Sequence, residues 1–512
     1  MSLWGSGYVT DIEYSDGFYR EQVPAYMALA ATLGGFETPS LSGRFTYCEL
    51  GCGRGRTSLV LAALNPEAEF HAVDFNPAHI AHAREQARRA ALSNVTFHEC
   101  SFDDLTGARG GSLPMFDAVT LHGVWTWISP ELQSAILAFL NARLQPGGLV
   151  YVSYNAMPAW VEMAPLQRLI KELAAAAPQR SDLAVARAIE QIERFGEANI
   201  IPERFRGGAK RFKDGGKIPS YLAHEYLNEH WQPAYFADVA RALARAKLNF
   251  AACSDLLKNF HNLVLAEKQR ALIAEIASPE LRETLKDFCT ENRFRQDVFV
   301  RGARRMSETH RLQLLGALKL CLMRSTPESF EIGKPDGTRW RPDPADDQAV
   351  FKALRQRPHT VEELLTLPGL PSGHLVGPVE LVGMLVGTGI AGLYHEPSKA
   401  EIAGADRFNA LTDVEPEAAF DDGAVIAVPA AGIGIPLSAP SYALYRCVQR
   451  GDTPVAADLA ASFVKRCRDR GGHAIVDDKV FEDAAEALTA VTRDYEAKIE
   501  RVVPVWRTIG ML

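Results

Sequence analysis

Residues 45–155 alternate short β-rich runs with helical patterns, and this alternation is the feature that most constrains the fold. Helical patterns near 56–64, 77–91 and 130–143 lie among the runs FTYCEL, EFHAVDF, NVTFHEC, FDAVTLHGV and GLVYVSY. Such alternation is typical of a parallel sheet with crossover helices. A further β-rich run, LNFAACSD at 248–255, predicts a sixth strand after a helical insertion at 161–245. We therefore predict an α/β, Rossmann-like domain over residues 1–260.

The rest of the chain predicts two further units. Residues 261–400 predict a mostly helical middle domain, and residues 401–512 predict an α+β C-terminal domain. Within the middle domain, the helical patterns DDQAVFKALRQR, TVEELLTL and PVELVGMLVGTG precede the apolar run IAGLYH, an order typical of a winged-helix-like unit. The third of these helices carries no basic residue, so it is poorly suited to contact phosphates and we expect no nucleic-acid binding.

Composition narrows the class of protein. The 512 residues are 47% apolar and 23% charged, which is an ordinary globular composition. The net charge of -8 gives no overall attraction to polyanions, although basic runs at 203–217 and 293–305 could meet an acidic protein surface or simply be solvated. No apolar stretch reaches 18 residues and the N-terminus lacks a signal pattern, so we expect a cytoplasmic protein without membrane insertion. The eight cysteines form no CxxC pair, and no metal site is predicted.

A glycine-rich turn, TYCELGCGRG at 46–55, follows the first β-rich run, and HAVDFN at 71–76 follows the second. In an open parallel sheet, ligands bind beyond the carboxyl ends of the strands. Glycines at 51, 53 and 55 allow the backbone to approach a ligand closely. Asp74, nineteen residues after Gly55, can accept hydrogen bonds from ribose hydroxyls. These features fit NAD and S-adenosylmethionine about equally.

Two details favour S-adenosylmethionine. The spacing ELGCGRG departs from G-x-G-x-x-G, because Arg56 stands where the third glycine is expected. Glu49 would repel a pyrophosphate, but its charge suits the ammonium and sulfonium groups of the methionine half of S-adenosylmethionine.

These residues resemble a known family: CELGCGRG and VDFNP are similar to motifs I and II of the class I S-adenosylmethionine-dependent methyltransferases. The resemblance implies that the glycine turn borders the methionine part, that Asp74 holds the ribose and that Phe75 lies beside the adenine. The segment CSFDD at 100–104 occupies the adenine-edge position, where Asp103 is a candidate and a helix N-terminal charge is the alternative. The cofactor-binding candidates are Glu49, Gly51, Cys52, Gly53, Gly55, Asp74, Phe75, Ser101, Phe102 and Asp103.

The acceptor site is expected between two aromatic segments, LHGVWTWIS at 121–129 and SYNAMPAW at 153–160. Methyl transfer requires alignment of the reacting groups in a water-poor site. Tryptophans and a tyrosine here could enclose an aliphatic stem and hold a cationic head, and Tyr154 or His122 could take a proton. The alternative is that some of these aromatic residues are ordinary core. The catalytic candidates are His122, Trp125, Tyr154 and Trp160, with Trp127 a further wall residue.

A wider resemblance covers most of the chain. The segments YVTDIEYSDGFYREQVPAYM, HGVWTWIS, SYNAMPAW and LRETLKDFCTENRFRQDVFVRG are similar to bacterial methyltransferases with a methyltransferase regulatory domain, among them rickettsial protein-lysine methyltransferases that modify outer-membrane proteins. The resemblance implies N-methylation of lysine on a protein substrate, and it makes the middle domain at 261–400 the expected regulatory domain. A homodimer is a separate expectation. Two alternatives stay open: a small-molecule methyltransferase in which 161–245 is a lid, and a cofactor-sensing or scaffolding protein. The acceptor, the product's methylation state and the oligomeric state are not predicted.

Overall fold

The structure is a computed structural model that describes most of the chain. The described residues are 5, 7–12, 17–177, 179–203, 205, 219–325, 332–333, 339–340, 344–367, 377–414, 423–477 and 479–512. The basic run predicted at 203–217 lies outside the described residues, apart from 203 and 205.

A seven-stranded sheet forms the centre of the first half of the chain. Its strands are β1 (Thr46–Leu50), β2 (Glu69–Asp74), β3 (Val95–Glu99), β4 (Phe116–Leu121), β5 (Leu144–Asn155), β6 (Leu248–Cys253) and β7 (Phe294–Arg301). Their order is β3-β2-β1-β4-β5-β7-β6. The first five strands are parallel, and β7 runs antiparallel to both β5 and β6. The predicted Rossmann-like α/β class is confirmed.

The predicted end of this domain near residue 260 needs correction, because β7 at Phe294–Arg301 inserts between β5 and β6. The sequence of this part of the chain predicts a basic run among helices. In the structure, Arg295 and Asp297 are buried within the strand, and the Nε of Arg295 donates to Oδ2 of Asp297 at 2.7 Å. A charge pair buried in a strand conceals the apolar pattern by which strands are recognised.

Helices cover both faces of the sheet, and apolar clusters lie on each face. The helices up to residue 317 are Pro24–Leu33, Arg56–Leu64, Pro77–Arg89, Ala108–Gly111, Pro130–Arg143, Ala164–Ala176, Ser181–Glu197, Pro219–Tyr226, Phe236–Ala244, His261–Val264, Glu267–Ala274, Pro279–Thr290 and Glu308–Ala317. Short 3₁₀ helices span Arg20–Gln22, Asp103–Thr106 and Leu256–Asn259.

Three helices of the predicted insertion have a core of their own. The helices Ala164–Ala176, Ser181–Glu197 and Pro219–Tyr226 share an apolar cluster that also contains Val9 from the N-terminal segment. The insertion is therefore packed against the first residues of the chain.

The middle of the chain contains the expected winged-helix-like arrangement. A three-stranded sheet of Lys319–Leu322, His359–Thr360 and Ala391–Leu393 has the outer two strands antiparallel to the first. Helices Pro344–Gln356, Val361–Leu365 and Pro378–Gly387 accompany it, and Ile332–Gly333 pairs with Arg339–Trp340.

The C-terminal region is α+β, as predicted. Its strands are Ala424–Val428, Ile433–Leu437, Ala474–Val476 and Lys479–Phe481, which form two antiparallel pairs. Its helices are Lys399–Asn409, Leu411–Val414, Ala439–Gln449, Ala456–Asp469, Ala484–Arg501 and Val503–Thr508, with a 3₁₀ turn at Pro429–Ala431. Across the described part of the chain, no helix has both the length and the apolar character needed to cross a membrane.

The C-terminal region packs against the helix that follows the glycine turn, Arg56–Leu64. A Cβ on Gly404 would overlap the carbonyl oxygen of Ala63, so the helix Lys399–Asn409 makes a close backbone approach there. A Cβ on Gly434 would lie 3.1 Å from Cγ1 of Val60. The C-terminal region therefore contacts a structural element that begins at the predicted cofactor site.

Candidate active site

The glycine turn is fastened to the end of β2 by hydrogen bonds. The backbone N–H groups of Gly51 and Cys52 donate to the carbonyl oxygen of Val73 at 2.8 and 3.0 Å. The N–H of Gly53 donates to Oδ2 of Asp74 at 2.8 Å. The turn and the β2 carboxylate, predicted separately from the sequence, therefore form one unit.

Two glycines of the turn have different surroundings. Gly53 has φ 53° and a Cβ there would have no atom within 4 Å, so this glycine borders open space. Gly55 has φ 82°, and a Cβ there would lie 2.6 Å from Cε1 of Phe97 and 2.9 Å from the Cβ of Ala83. Gly55 therefore allows close packing between the turn and the elements behind it, whereas Gly53 leaves room for a ligand.

Asp74 is 7% exposed at the end of β2. Its Oδ1 accepts from the N–H of Asn76 at 2.9 Å and lies 3.4 Å from Nδ1 of His79. Each carboxylate oxygen has two lone pairs, so both oxygens can accept a further hydrogen bond. The position and remaining acceptor capacity of Asp74 suit two vicinal hydroxyls.

Glu49 lies buried at the end of β1, with Ser58 Oγ donating to its Oε2 at 2.5 Å. Burial raises the pKa of Glu49 to about 7, although hydrogen bonds from Ser58 and Gln22 act in the opposite direction. Gln22, which the sequence analysis did not select, is 1% exposed, and its Oε1 has no hydrogen-bond partner among the described residues. A carboxyl group and an unsatisfied amide oxygen together provide acceptors for an ammonium group.

A pocket with an empty volume of about 960 Å³, which includes open solvent, extends from the glycine turn along the carboxyl edge of the sheet. The predicted residues that line it are Gly51, Gly53, Asp74, Phe75, Ser101, Phe102, His122 and Trp127. Asp103 is exposed in the first turn of the 3₁₀ helix Asp103–Thr106, which fits the alternative of a helix-end charge.

His122 lies in the pocket wall and is held from two sides. Its ring stacks on Tyr19 with centroids 3.7 Å apart, and its Nδ1 lies 2.8 Å from the hydroxyl of Tyr151. Burial lowers the pKa of His122 to about 3. Such a weakly basic imidazole stays neutral at pH 7 and takes up a proton poorly, so the structure favours His122 as a wall residue over the predicted role of proton acceptor.

Three predicted aromatic residues occupy structural positions, and this corrects their expected role. Tyr154 is fully buried and donates to Oδ2 of Asp297 at 2.7 Å. Burial, followed by the charge of Asp297, raises the pKa of Tyr154 well above its ordinary value. Trp125 is 3% exposed in an apolar cluster beside the sheet. Trp160 donates from Nε1 to the carbonyl oxygen of Arg293 at 2.7 Å. Trp127, two residues beyond Trp125, reaches the pocket instead.

The N-terminal segment supplies a residue that the sequence analysis did not select. Tyr8 lines the pocket, and its ring meets that of Phe75 edge-on with centroids 6.1 Å apart. Residues 8–34 contain several aromatic side chains, and which of these rings enters the pocket depends on packing.

Comparison with protein families assigns two segments of the chain. Residues 41–198 match a model described as a methyltransferase domain, and residues 219–301 match one described as a predicted methyltransferase regulatory domain. The predicted methyltransferase domain and regulatory domain are therefore confirmed for these two segments.

Similar proteins extend the comparison. The Synechocystis protein sll1526 is 36% identical over 62% of this chain and 63% of its own length. The Rickettsia prowazekii protein RP789 is 25% identical over 57% of this chain and 53% of its own length. This chain thus spans about half to two thirds of these relatives. The structure of PKMT2 from Rickettsia typhi in complex with AdoHcy is 19% identical, covers 97% of this chain and 99% of that one, and superposes with a TM-score of 0.66, which shows a shared fold.

Proposed function

We propose that this chain, a class I methyltransferase with a methyltransferase regulatory domain, transfers the methyl group of S-adenosylmethionine to the side-chain amine of a lysine on a protein. The observation that carries the proposal is a single pocket that joins the glycine turn and Asp74 to the aromatic residues Tyr8 and Trp127. The first group of residues suits a nucleoside, and the second suits an alkyl amine.

The fit to the cofactor is supported by three features. The open space at Gly53 leaves room for the ligand, and Asp74 can accept from the ribose hydroxyls. Glu49 and the unsatisfied Oε1 of Gln22 can accept from the ammonium of the methionine part. Phe75 and Phe102 line the pocket where the adenine would lie.

S-adenosylmethionine, when bound, supplies an electrophilic methyl group on a positively charged sulfur. An amine that has lost its proton would be able to accept this methyl group. The residues of the chain have to align the amine and keep water away from it. The walls that serve this purpose are Tyr8, Trp127 and the neutral His122. Because these side chains are uncharged and exclude water, they lower the pKa of an enclosed amine by desolvation.

The size of the chain supports a protein acceptor. The winged-helix-like unit and the C-terminal region lie outside the seven-stranded sheet and exceed what a small acceptor needs. The whole-chain similarity in fold to PKMT2 supports the same choice. Cytoplasmic location and a homodimer belong to this proposal as well.

A small-molecule methyltransferase is the second candidate. It is favoured by the apolar cluster that joins the insertion helices to Val9, next to the pocket residue Tyr8, because such a cover could close over a metabolite.

The test is transfer of label from methyl-tritiated S-adenosylmethionine in a lysate of the source cells, with protein and small-molecule fractions counted separately. Label on a discrete protein, recovered as methyl-lysine after hydrolysis, is the expected result. The same reaction with Asp74→Ala, at a concentration of S-adenosylmethionine below its Kd, should give less label. Label only in the small-molecule fraction would replace the proposal with the second candidate, and absence of label despite cofactor binding would favour a sensor.

A further inference from the structure

The first helix of the regulatory domain, Pro219–Tyr226, lies next to the pocket. The residues that follow this helix bind the N-terminal segment: the N–H of Glu229 donates to the carbonyl oxygen of Gly7 at 2.7 Å, and Oδ1 of Asn228 accepts from the N–H of Val9 at 2.9 Å. Tyr8 stands between these two contacts. The regulatory domain therefore helps to position a residue of the pocket wall.

The same helix carries a buried carboxylate, Glu225, which is 8% exposed. Its Oε1 accepts from Nδ2 of Asn155 at 2.9 Å. Asn155 is the last residue of β5, and its carbonyl oxygen accepts from the N–H of Ala234 at 2.9 Å. The carboxylate is therefore fixed at the carboxyl edge of the sheet, where ligands of such sheets bind.

Tyr8 lies between the helix that carries this carboxylate and the cofactor end of the pocket. The ring of Tyr8 packs on His224 with centroids 5.6 Å apart on one side and on Phe75 on the other. Burial raises the pKa of Tyr8, and the charges of Asp74 and Glu225 add to this effect. Burial and Glu225 also raise the pKa of Tyr221 to about 12. Glu225 therefore lies close enough to both tyrosines for its charge to act on them.

We propose that Glu225 is a specificity-determining residue that selects a cationic acceptor: its carboxylate attracts the ammonium form of the amine as it arrives, before the proton is lost, while the ring of Tyr8 lies against the aliphatic stem. A carboxylate combined with aromatic faces recognises an alkylammonium better than a neutral alcohol of the same shape. This inference rests on the proposed function and deepens it, because it assigns the choice of acceptor to the regulatory domain.

The test uses n-butylammonium as a probe for a lysine side chain and n-butanol as its neutral analogue. Binding of each to the full chain saturated with S-adenosylhomocysteine is measured by calorimetry. Wild type should prefer n-butylammonium, and Glu225→Gln should weaken its binding about tenfold and remove the preference. Glu225→Asp, which keeps the charge, should retain the preference. Glu190→Gln, a change at an exposed position on the helix Ser181–Glu197, is the matched control and should bind as wild type does.

Two results would overturn the inference. One is an equal preference for n-butylammonium in wild type and Glu225→Gln, with S-adenosylhomocysteine still bound. The other is loss of S-adenosylhomocysteine binding in both Glu225 variants, which would give Glu225 a purely structural role. Failure of the proposed function would be seen separately, as absence of methyl-lysine in the labelling experiment with wild-type protein.

Discussion

Replacing Glu49 with Gln should change how the stability of the protein depends on pH. In the folded chain burial raises the pKa of Glu49 from 4.5 to about 7. Because this pKa is raised on folding, the stabilising contribution of the protonated carboxyl is fully present below pH 4.5 and is lost as the pH rises through 7. Each unit by which the pKa rises corresponds to about 1.4 kcal/mol, so the rise from 4.5 to about 7 corresponds to a loss of about 3 kcal/mol of stability.

The assay is urea unfolding of wild type and Glu49→Gln at pH 4.5 and pH 8. Gln cannot ionise, so the free energy of unfolding of the variant relative to wild type should rise by about 3 kcal/mol between the two pH values. Taking this difference cancels the contributions of all other titrating groups that the two proteins share. A difference that stays constant across this range would refute the assignment of a buried, high-pKa carboxyl at Glu49.

The same group makes a prediction for binding. If Glu49 holds the ammonium of S-adenosylmethionine, it must release its proton when the cofactor binds below pH 7. The Kd measured by calorimetry should therefore rise about tenfold for each pH unit below 7 in wild type, with a much weaker dependence in Glu49→Gln. If the Kd depended on pH equally in the two proteins, Glu49 would not hold the ammonium group of the cofactor.

Three further changes test the site and the fold. Asp74→Ala should weaken cofactor binding by about 1 to 3 kcal/mol, since the ribose hydroxyls lose their acceptor, and unchanged affinity in calorimetry would contradict the site. Gly53→Ala should mainly reduce cofactor affinity, whereas Gly55→Ala should mainly reduce the free energy of unfolding, by about 1 to 3 kcal/mol, and calorimetry with urea unfolding distinguishes them. Arg295→Met should destabilise the fold by about 3 to 5 kcal/mol in urea unfolding, because it leaves buried carboxylates unpaired, and wild-type stability would refute this.

Local patterns were enough to predict most of the sheet. The first six strands were predicted from β-rich runs bounded by turns and helices. Asp74 and Gly53 were predicted to bind the cofactor because they lie at or just after the ends of such strands. The strand Phe294–Arg301 could not be recognised in this way. Its burial depends on Arg295 meeting Asp287, which lies on a different element.

The acceptor side of the pocket was harder to predict, because its residues come from distant parts of the chain. Tyr154 lies at the end of β5 as expected, but its hydroxyl binds Asp297, which is 143 positions further along the sequence. The carboxylate of Glu225 is 70 positions from its partner Asn155. Segment patterns identify a region rich in aromatic residues, whereas three-dimensional packing decides which of them face a ligand.

The contact between the helices Lys399–Asn409 and Arg56–Leu64 has a consequence for dissecting the protein. A fragment that ends before residue 399 would expose the apolar flank of a helix that is anchored at the glycine turn. The cofactor affinity of such a fragment would then be that of a protein whose glycine turn is held in place less firmly. Coupling free energies act in both directions. A molecule that displaces the C-terminal region would change cofactor affinity by some factor, and the cofactor would change the affinity of that molecule by the same factor. The two ends of the chain are therefore best studied together, as one thermodynamic unit.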